Sequence, residues 1–388
     1  MITIGIDASR ANVRQRTGTE WYCYYLLKNF ARIYDPTQHH IVLYLKEPLV
    51  ADLKDLPADW EIRILRWPPK LLWTQLRLSL TMLVPWLRPD VLFIPAHTIP
   101  LIHVRNTVYV AHDLGFERNA ALYANTYIGG KILHWLIKIL TLGKYGTTEL
   151  DYHRYSMRFA VRHAKKIITI SEFTKHELQN CYTVSDHKIA VVHNGYDRTS
   201  YYETPNKVTM TQSYLFFVGR IELKKNINNL ILAFAELKHT RHIPEQLWLA
   251  GQPGFGYEQI TQLVKDQKLE RDVKFLGYTE ASALPDLMRQ ASAFIFPSHY
   301  EGFGIPVLEA LAVGTKVACS DIGALREVGG EACWFFNQTD PHHMAQTILT
   351  CLQADQSVAR QKSLTQVKQF SWERCAEQTW QVLLSQVD

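Results

Sequence analysis

Two carboxylates, Glu301 and Glu309, stand eight residues apart in the stretch SHYEGFGIPVLEALAVG, around the glycines at 302 and 304 and a proline at 306. The run ASAFIFPS ahead of them is an apolar strand, and PVLEALAVG has helical spacing at Val307, Leu308, Leu311 and Ala312. Pro306 suits a first helical turn, where its missing N–H would be unpaired anyway. Glu301 therefore falls in a loop and Glu309 in the opening turns of a helix. The glycines let a ligand come close to the main chain, and the N–H groups of a helix start favour an anion such as phosphate. Carboxylates beside such an anion accept hydrogen bonds well from sugar hydroxyls. One glutamate on a ribose and the other on a hexose, around one diphosphate, describes a nucleotide sugar. The plainer alternative is a surface loop and a capped helix with both glutamates solvated.

Two further stretches carry chemistry. In VGRIELKKN, Arg220 closes an apolar strand and Lys225 follows five residues later, just before a helix starting near Asn226. Two cations at the mouth of a parallel sheet can neutralise the charge that builds on a departing diphosphate. In VYVAHDLGF, His112 and Asp113 end another apolar strand. A histidine there can donate to a sugar hydroxyl or to developing charge across a cleft, or else bond a neighbouring carbonyl structurally.

The elements that must position these groups are legible as short apolar runs alternating with helical patterns. ITIGIDA, HHIVLYL, WEIRILR, DVLFIPAH, NTVYVAHD, KKIITIS and KIAVVHN come first; YLFFVGR, QLWLAG, DVKFLGY, ASAFIFPS, TKVACSD and EACWFF follow. Near-continuous apolar strands between helices imply parallel sheets covered on both faces, an α/β chain. A polar, aperiodic stretch, RTSYYETPNKVTMTQ, separates the two sets and reads as a linker. The expected division is a first Rossmann-like domain over 1–197, a linker over 198–212 and a second Rossmann-like domain over 213–371. The 388 residues suit two domains of that size. A net charge of +5 is too small to argue nucleic-acid binding, and six scattered cysteines without a CxxC pair read as reduced, buried thiols. The first residues form a strand and no apolar window is long enough to span a bilayer, so the expected location is the cytoplasm.

Taken together, these stretches resemble the retaining glycosyltransferases of family 4, whose GT-B fold sets two Rossmann-like domains face to face across a cleft. The resemblance covers nearly the whole chain and is most specific from VGRIELKKN through HYEGFGIPVLEALAVG. It implies that Glu301 faces the donor sugar, that Glu309 binds the ribose, and that Arg220 and Lys225 hold the diphosphate. It also implies that the backbone of Gly302, Phe303, Gly304 and Ile305 contacts hexose and phosphate. His112 and Asp113 correspond to the family's His-Asp pair. The N-terminal glycine-rich loop appears as RTGTEWY, which places Gly18 and Thr19 on the acceptor side, although Glu20 stands where the family often has a small residue. The terminal SWERCAEQTWQVLLSQ resembles the helix, over about 372–388, that returns to the first domain.

The implied reaction moves a hexose, with retained configuration, from a UDP- or GDP-linked sugar to a saccharide or lipid-linked acceptor, as in bacterial surface-polysaccharide or glycolipid assembly. No cofactor is expected. No D-x-D occurs, so no metal is expected either. The first strand lacks the G-x-G-x-x-G of a dinucleotide oxidoreductase. An epimerase or phosphorylase of the same fold, or a non-catalytic sugar-binding protein, are the alternatives. The apolar segment YIGGKILHWLIKILTLGKYGTTEL and the cations from Arg154 to Lys166 together suggest docking of 127–166 on the inner face of the plasma membrane; the alternative is that the apolar residues fill the first domain's core and the cations form a solvated face.

Overall fold

The computed structural model of the chain describes residues 1–67, 72–118, 148–202 and 213–387. The segment 127–147, and 203–212 of the expected linker, lie outside the described residues. All thirteen apolar runs are strands: β1 (Ile2–Asp7), β2 (His39–Leu45), β3 (Glu61–Ile64), β4 (Val91–Ile94), β5 (Thr107–Ala111), β6 (Lys166–Thr169) and β7 (Ile189–Val191) in one sheet. The second sheet holds β8 (Tyr214–Val218), β9 (Gln246–Ala250), β10 (Val273–Gly277), β11 (Ala293–Phe296), β12 (Val317–Ser320) and β13 (Cys333–Phe336).

The strand orders are β3-β2-β1-β4-β5-β6-β7 and β10-β9-β8-β11-β12-β13, and neighbouring strands run parallel throughout. These are two Rossmann-like units. One comprises Met1–Arg118, the described residues up to Gly195, and Trp372 onward; the other runs from Tyr196 to Ser371. Each order reverses once, between β1 and β4 and between β8 and β11. At such a switch point the loops leaving the two central strands diverge and open a crevice at their carboxyl ends.

The central strands read as continuous apolar runs because helices cover both faces. In the second unit Phe216, Phe217, Phe294 and Phe296 are fully buried, and Tyr214 stacks on Trp248 with ring centroids 3.9 Å apart. The pairing Ala293↔Leu215 and Phe294↔Phe216 brings the ends of β8 and β11 side by side. In the first unit the helix Gly18–Ile33 lies against the helix Trp372–Leu384. Tyr25 stacks on Trp372 at 5.1 Å and Phe30 meets Trp380 at the same centroid distance. The six cysteines form no disulfide.

Candidate functional site

In the second unit the switch point gathers the residues singled out on either side of it. Gly219 and Arg220 follow β8, and the main chain of Gly219 runs so close to Gly251 that a Cβ on Gly251 would stand 1.8 Å from the Gly219 carbonyl oxygen. Only glycine fits there. Arg220 then projects, exposed, at the mouth of the sheet. The turn Leu223–Lys225 follows, and β11 delivers the loop with Glu301 beside it. Lys225 Nζ lies 2.5 Å from Glu301 Oε1, each side chain less than one fifth exposed, and 5.5 Å from the Phe296 ring centroid.

Asn226 holds that juxtaposition together. It is fully buried, adopts a left-handed φ of 57° and precedes the helix Ile227–Arg241. Asparagine tolerates that conformation better than most residues. Its Nδ2 donates to the carbonyls of Pro297 at 3.0 Å and Gln338 at 2.7 Å. The His299 N–H donates to the Lys224 carbonyl at 3.1 Å, a second tie between the two loops. The sequence marked Asn226 as a helix start but carried no sign that it clamps the loop of Glu301, because its partners lie 71 and 112 residues away.

The helix Ile305–Ala312 begins as expected, with Pro306 in its first turn and Val307, Leu308, Leu311 and Ala312 buried. Gly304 caps it at φ 120°, and a Cβ there would stand 2.5 Å from Leu325 Cδ2. Phe303 is buried edge-on against Phe370 at 5.6 Å, so it anchors the loop. Glu309 points its carboxyl into a buried position although part of the residue meets solvent. Burial first, and the Asp197 carboxylate second, push it up to about 8, against a hydrogen bond from Tyr201 that acts the other way. Asp197 and Tyr201 went unnoticed in the sequence because they sit more than a hundred positions upstream, in a loop held by Thr199 and Ser200 bonding to Asp197.

The first unit places a different set at its own switch point. His112 follows β5, and its Nε2–H donates to the Pro95 carbonyl at 3.0 Å while Tyr22 meets the ring edge-on at 4.8 Å. That bond leaves Nδ1 as the acceptor, and burial holds the ring below its ordinary pKa, so it is neutral. His97, after β4, was not foreseen. Its Nε2 lies 2.8 Å from His153 Nδ1, and burial, then His153, lower its pKa well below normal. Asp113 is exposed and accepts from the Gly115 N–H at 3.1 Å. Gly18 and Thr19 open the helix Gly18–Ile33, and a Cβ on Gly18 would meet nothing within 4 Å. Glu20 accepts from the N–H and hydroxyl of Thr17, both at 2.7 Å, which explains a carboxylate there by helix capping. Among the described residues no three His, Cys, Asp or Glu side chains gather as metal ligands would.

The family description "Glycosyl transferases group 1" matches residues 203–366, and "Glycosyltransferase Family 4" matches residues 16–200. The O-antigen chain mannosyltransferase B of Escherichia coli is 31% identical over 63% of this chain and 67% of its own length. The glycogen synthase of Mycobacterium tuberculosis and the O-antigen chain mannosyltransferase RfbU of Salmonella typhimurium, 29% and 25% identical, are matched over 55% and 65% of their length, and other curated relatives over as little as about a third. Two solved structures share the fold across almost all of the chain. The sucrose-phosphate synthase of Thermosynechococcus elongatus superposes with a TM-score of 0.74 at 18% identity, covering 99% of both chains. Anabaena HepE, in complex with UDP-glucose, gives 0.71 at 16% identity, covering 99% of this chain and all of its own.

Proposed function

Since the chain belongs to the family 4, group 1 glycosyltransferases and has their GT-B fold of two Rossmann-like units, we propose that it transfers a hexose from a nucleotide-diphosphate sugar with retention of configuration. The observation that carries this reading is the Lys225–Glu301 pair, set by two adjacent strands at the start of the helix that bears Glu309.

In this reading Lys225 and Arg220 hold the diphosphate, and the main chain of Gly302, Phe303, Gly304 and Ile305 receives phosphate and hexose at the helix start. Glu309 takes the ribose diol. Glu301 has two suitors, the Lys225 ammonium and the hydroxyls of the donor sugar. As the donor settles, Lys225 turns its charge toward phosphate and Glu301 toward the hexose. The bond from the anomeric carbon to the β-phosphate oxygen then breaks while the acceptor oxygen bonds the same carbon on the same face. The acceptor proton passes to the departing phosphate. Arg220, Lys225 and the helix start stabilise the charge left there. These fixed positive groups do the work a divalent ion does elsewhere, so turnover is metal-independent. Activity abolished by a chelator and restored by Mg²⁺ or Mn²⁺ would overturn that.

In the first unit, Gly18, Thr19, His112 and Asp113 serve the acceptor, with neutral His112 accepting a hydrogen bond from a hydroxyl at Nδ1. The matched O-antigen chain mannosyltransferase supports a mannosyl donor, and with it the reading extends to a lipid-linked saccharide acceptor used at a membrane surface on the cytoplasmic side. The deciding experiment is nucleotide release from a panel of UDP-, GDP-, ADP- and dTDP-sugars with and without a saccharide acceptor. Release that depends on acceptor and yields a new α-glycoside supports the reading. A product with inverted configuration, or an epimerised sugar with no glycoside, overturns it.

A further inference from the structure

We propose that the face of the first unit formed by Leu76, Leu80, Leu83, Trp86, Leu101 and Ile102 docks on an anionic phospholipid surface. The proposal deepens the membrane reading above by naming the surface that makes contact.

The helical stretch from Trp73 to Leu83 is apolar on both sides. Trp73, Leu78 and Met82 are buried together with Gln75, Ser79 and Thr81, while Leu76 points outward at 38% exposed and Leu80 and Leu83 at 49%. The inward groups are satisfied: Gln75 Nε2 donates to the Tyr152 hydroxyl, Ser79 Oγ accepts from the Ile102 N–H at 3.1 Å, and Thr81 Oγ1 accepts from Arg77 at 3.0 Å. A helix that served only to cover the core would carry polar residues on its outer face, where this one carries leucines at 76, 80 and 83. Trp86, just beyond, is 82% exposed. The Leu101 N–H donates to the Gln75 carbonyl and the Ile102 N–H to Ser79 one turn on, so this loop runs beside the helix and adds two more exposed apolar side chains, Leu101 at 38% and Ile102 at 40%. Contiguous exposed apolar residues of this kind mark an interaction surface.

The charge around that face selects the partner. Across 66–112, which includes Arg66, Arg77, Arg88 and Arg105, the one acid is Asp90, and its carboxylate accepts the Thr3 N–H at 2.7 Å. Arg66, Arg88 and Arg105 are exposed. His103, next to Ile102, packs on Phe159 and His163 of the helix Glu149–His163, whose Arg158 and Arg162 are exposed, with no acid from Arg154 to Lys166. Leucines and a tryptophan ringed by cations suit an interface of acyl chains and anionic headgroups. A second copy suits it poorly, because a symmetric pairing would set cations against cations. Among the described residues no helix is long and apolar enough to cross a bilayer, so the contact is peripheral.

The test is co-sedimentation of the full chain with phosphatidylcholine vesicles with and without phosphatidylglycerol. The protein should partition to the phosphatidylglycerol vesicles. The pair Leu80→Asp and Leu83→Asp should weaken binding about tenfold or more, and Arg88→Glu or Arg105→Glu about fivefold each. Thermal stability, and transfer to a water-soluble acceptor, should be unchanged in these variants because the altered side chains face outward. If the paired aspartate variant binds as well as the intact chain while Trp135→Glu abolishes binding, the face is wrong and the membrane reading stands. If the intact chain ignores both vesicles, both fail. Equal binding to neutral vesicles, or a dimer broken by the paired variant in place of vesicle binding, also overturns the proposal.

Discussion

Two carboxylates on one short stretch take opposite environments, and their chemistry divides accordingly. Glu301 is paired with a cation, whereas Glu309 is buried beside a second carboxylate. Glu301→Gln should keep the shape of the loop yet lose most turnover, and Lys225→Ala should lower kcat/KM by about 2–4 kcal/mol as other preorganised groups do. Steady-state kinetics on the single variants and the double variant measure this, and strictly additive losses would show that the pair does not act as a unit. Glu309 gives a pH dependence of known sign. With its pKa near 8, the empty site holds a proton at neutral pH, whereas a ribose diol donating two hydrogen bonds needs the carboxylate. Nucleotide binding should therefore release a proton and tighten as pH rises toward about 8, then level. Calorimetry in two buffers of different ionisation enthalpy counts that proton, and Glu309→Gln should abolish the slope. The same shift acts on folding. A carboxyl raised from 4.5 to about 8 favours the folded state fully below the lower value and progressively less up to the higher. The thermal midpoint should decline across that interval less steeply in Glu309→Gln.

Elements made these groups neighbours, and here legibility in the sequence was uneven. The strands were plain because sheets covered on both faces need uninterrupted apolar runs, and the helix Ile305–Ala312 was plain because Pro306 and four apolar positions keep helical spacing. Lys225 and Glu301 were each singled out alone, and their contact was not, because it follows from strand order β8-β11 across 76 residues. Asn226 escaped for a related reason: one asparagine side chain bonding two distant carbonyls leaves no periodic trace. The second, outward apolar side of Trp73–Leu83 was equally hidden, since leucines at helical spacing read as core until burial is known. Asn226→Ala should lower stability by about 1–3 kcal/mol, through two unpaired carbonyls and the loss of a residue suited to its left-handed φ. It should also raise the donor KM more than it lowers kcat, since the two loops lose register while Lys225 and Glu301 remain. Thermal melts with donor kinetics check both. Gly304→Ala should be worse for activity than for expression, because the Cβ strikes Leu325 and tilts the helix that carries Glu309.

At the scale of the whole molecule, the first unit is discontinuous in sequence. Its helix Gly18–Ile33 is covered by the helix Trp372–Leu384, through Tyr22, Tyr25 and Phe30 against Trp372 and Trp380. Trp380→Ala should remove about 3–5 kcal/mol, a cavity-scale loss, seen as an early transition in a melt followed by near-ultraviolet circular dichroism. A chain ending at Ser371 should leave the aromatic face of Gly18–Ile33 uncovered and aggregate. This arrangement also sets an order of events during synthesis. Domains commonly mature from the amino terminus as they leave the ribosome, but here the unit begun first cannot be completed until the codons for Trp372–Leu384, which follow the whole second unit, have been read. The segment Tyr196–Ser371 can close its own sheet while its predecessor still waits for a partner helix. A newly made chain therefore passes through a stage at which the half that carries Lys225 and Glu301 is finished and the half that carries His112 is still open to chaperones and proteases.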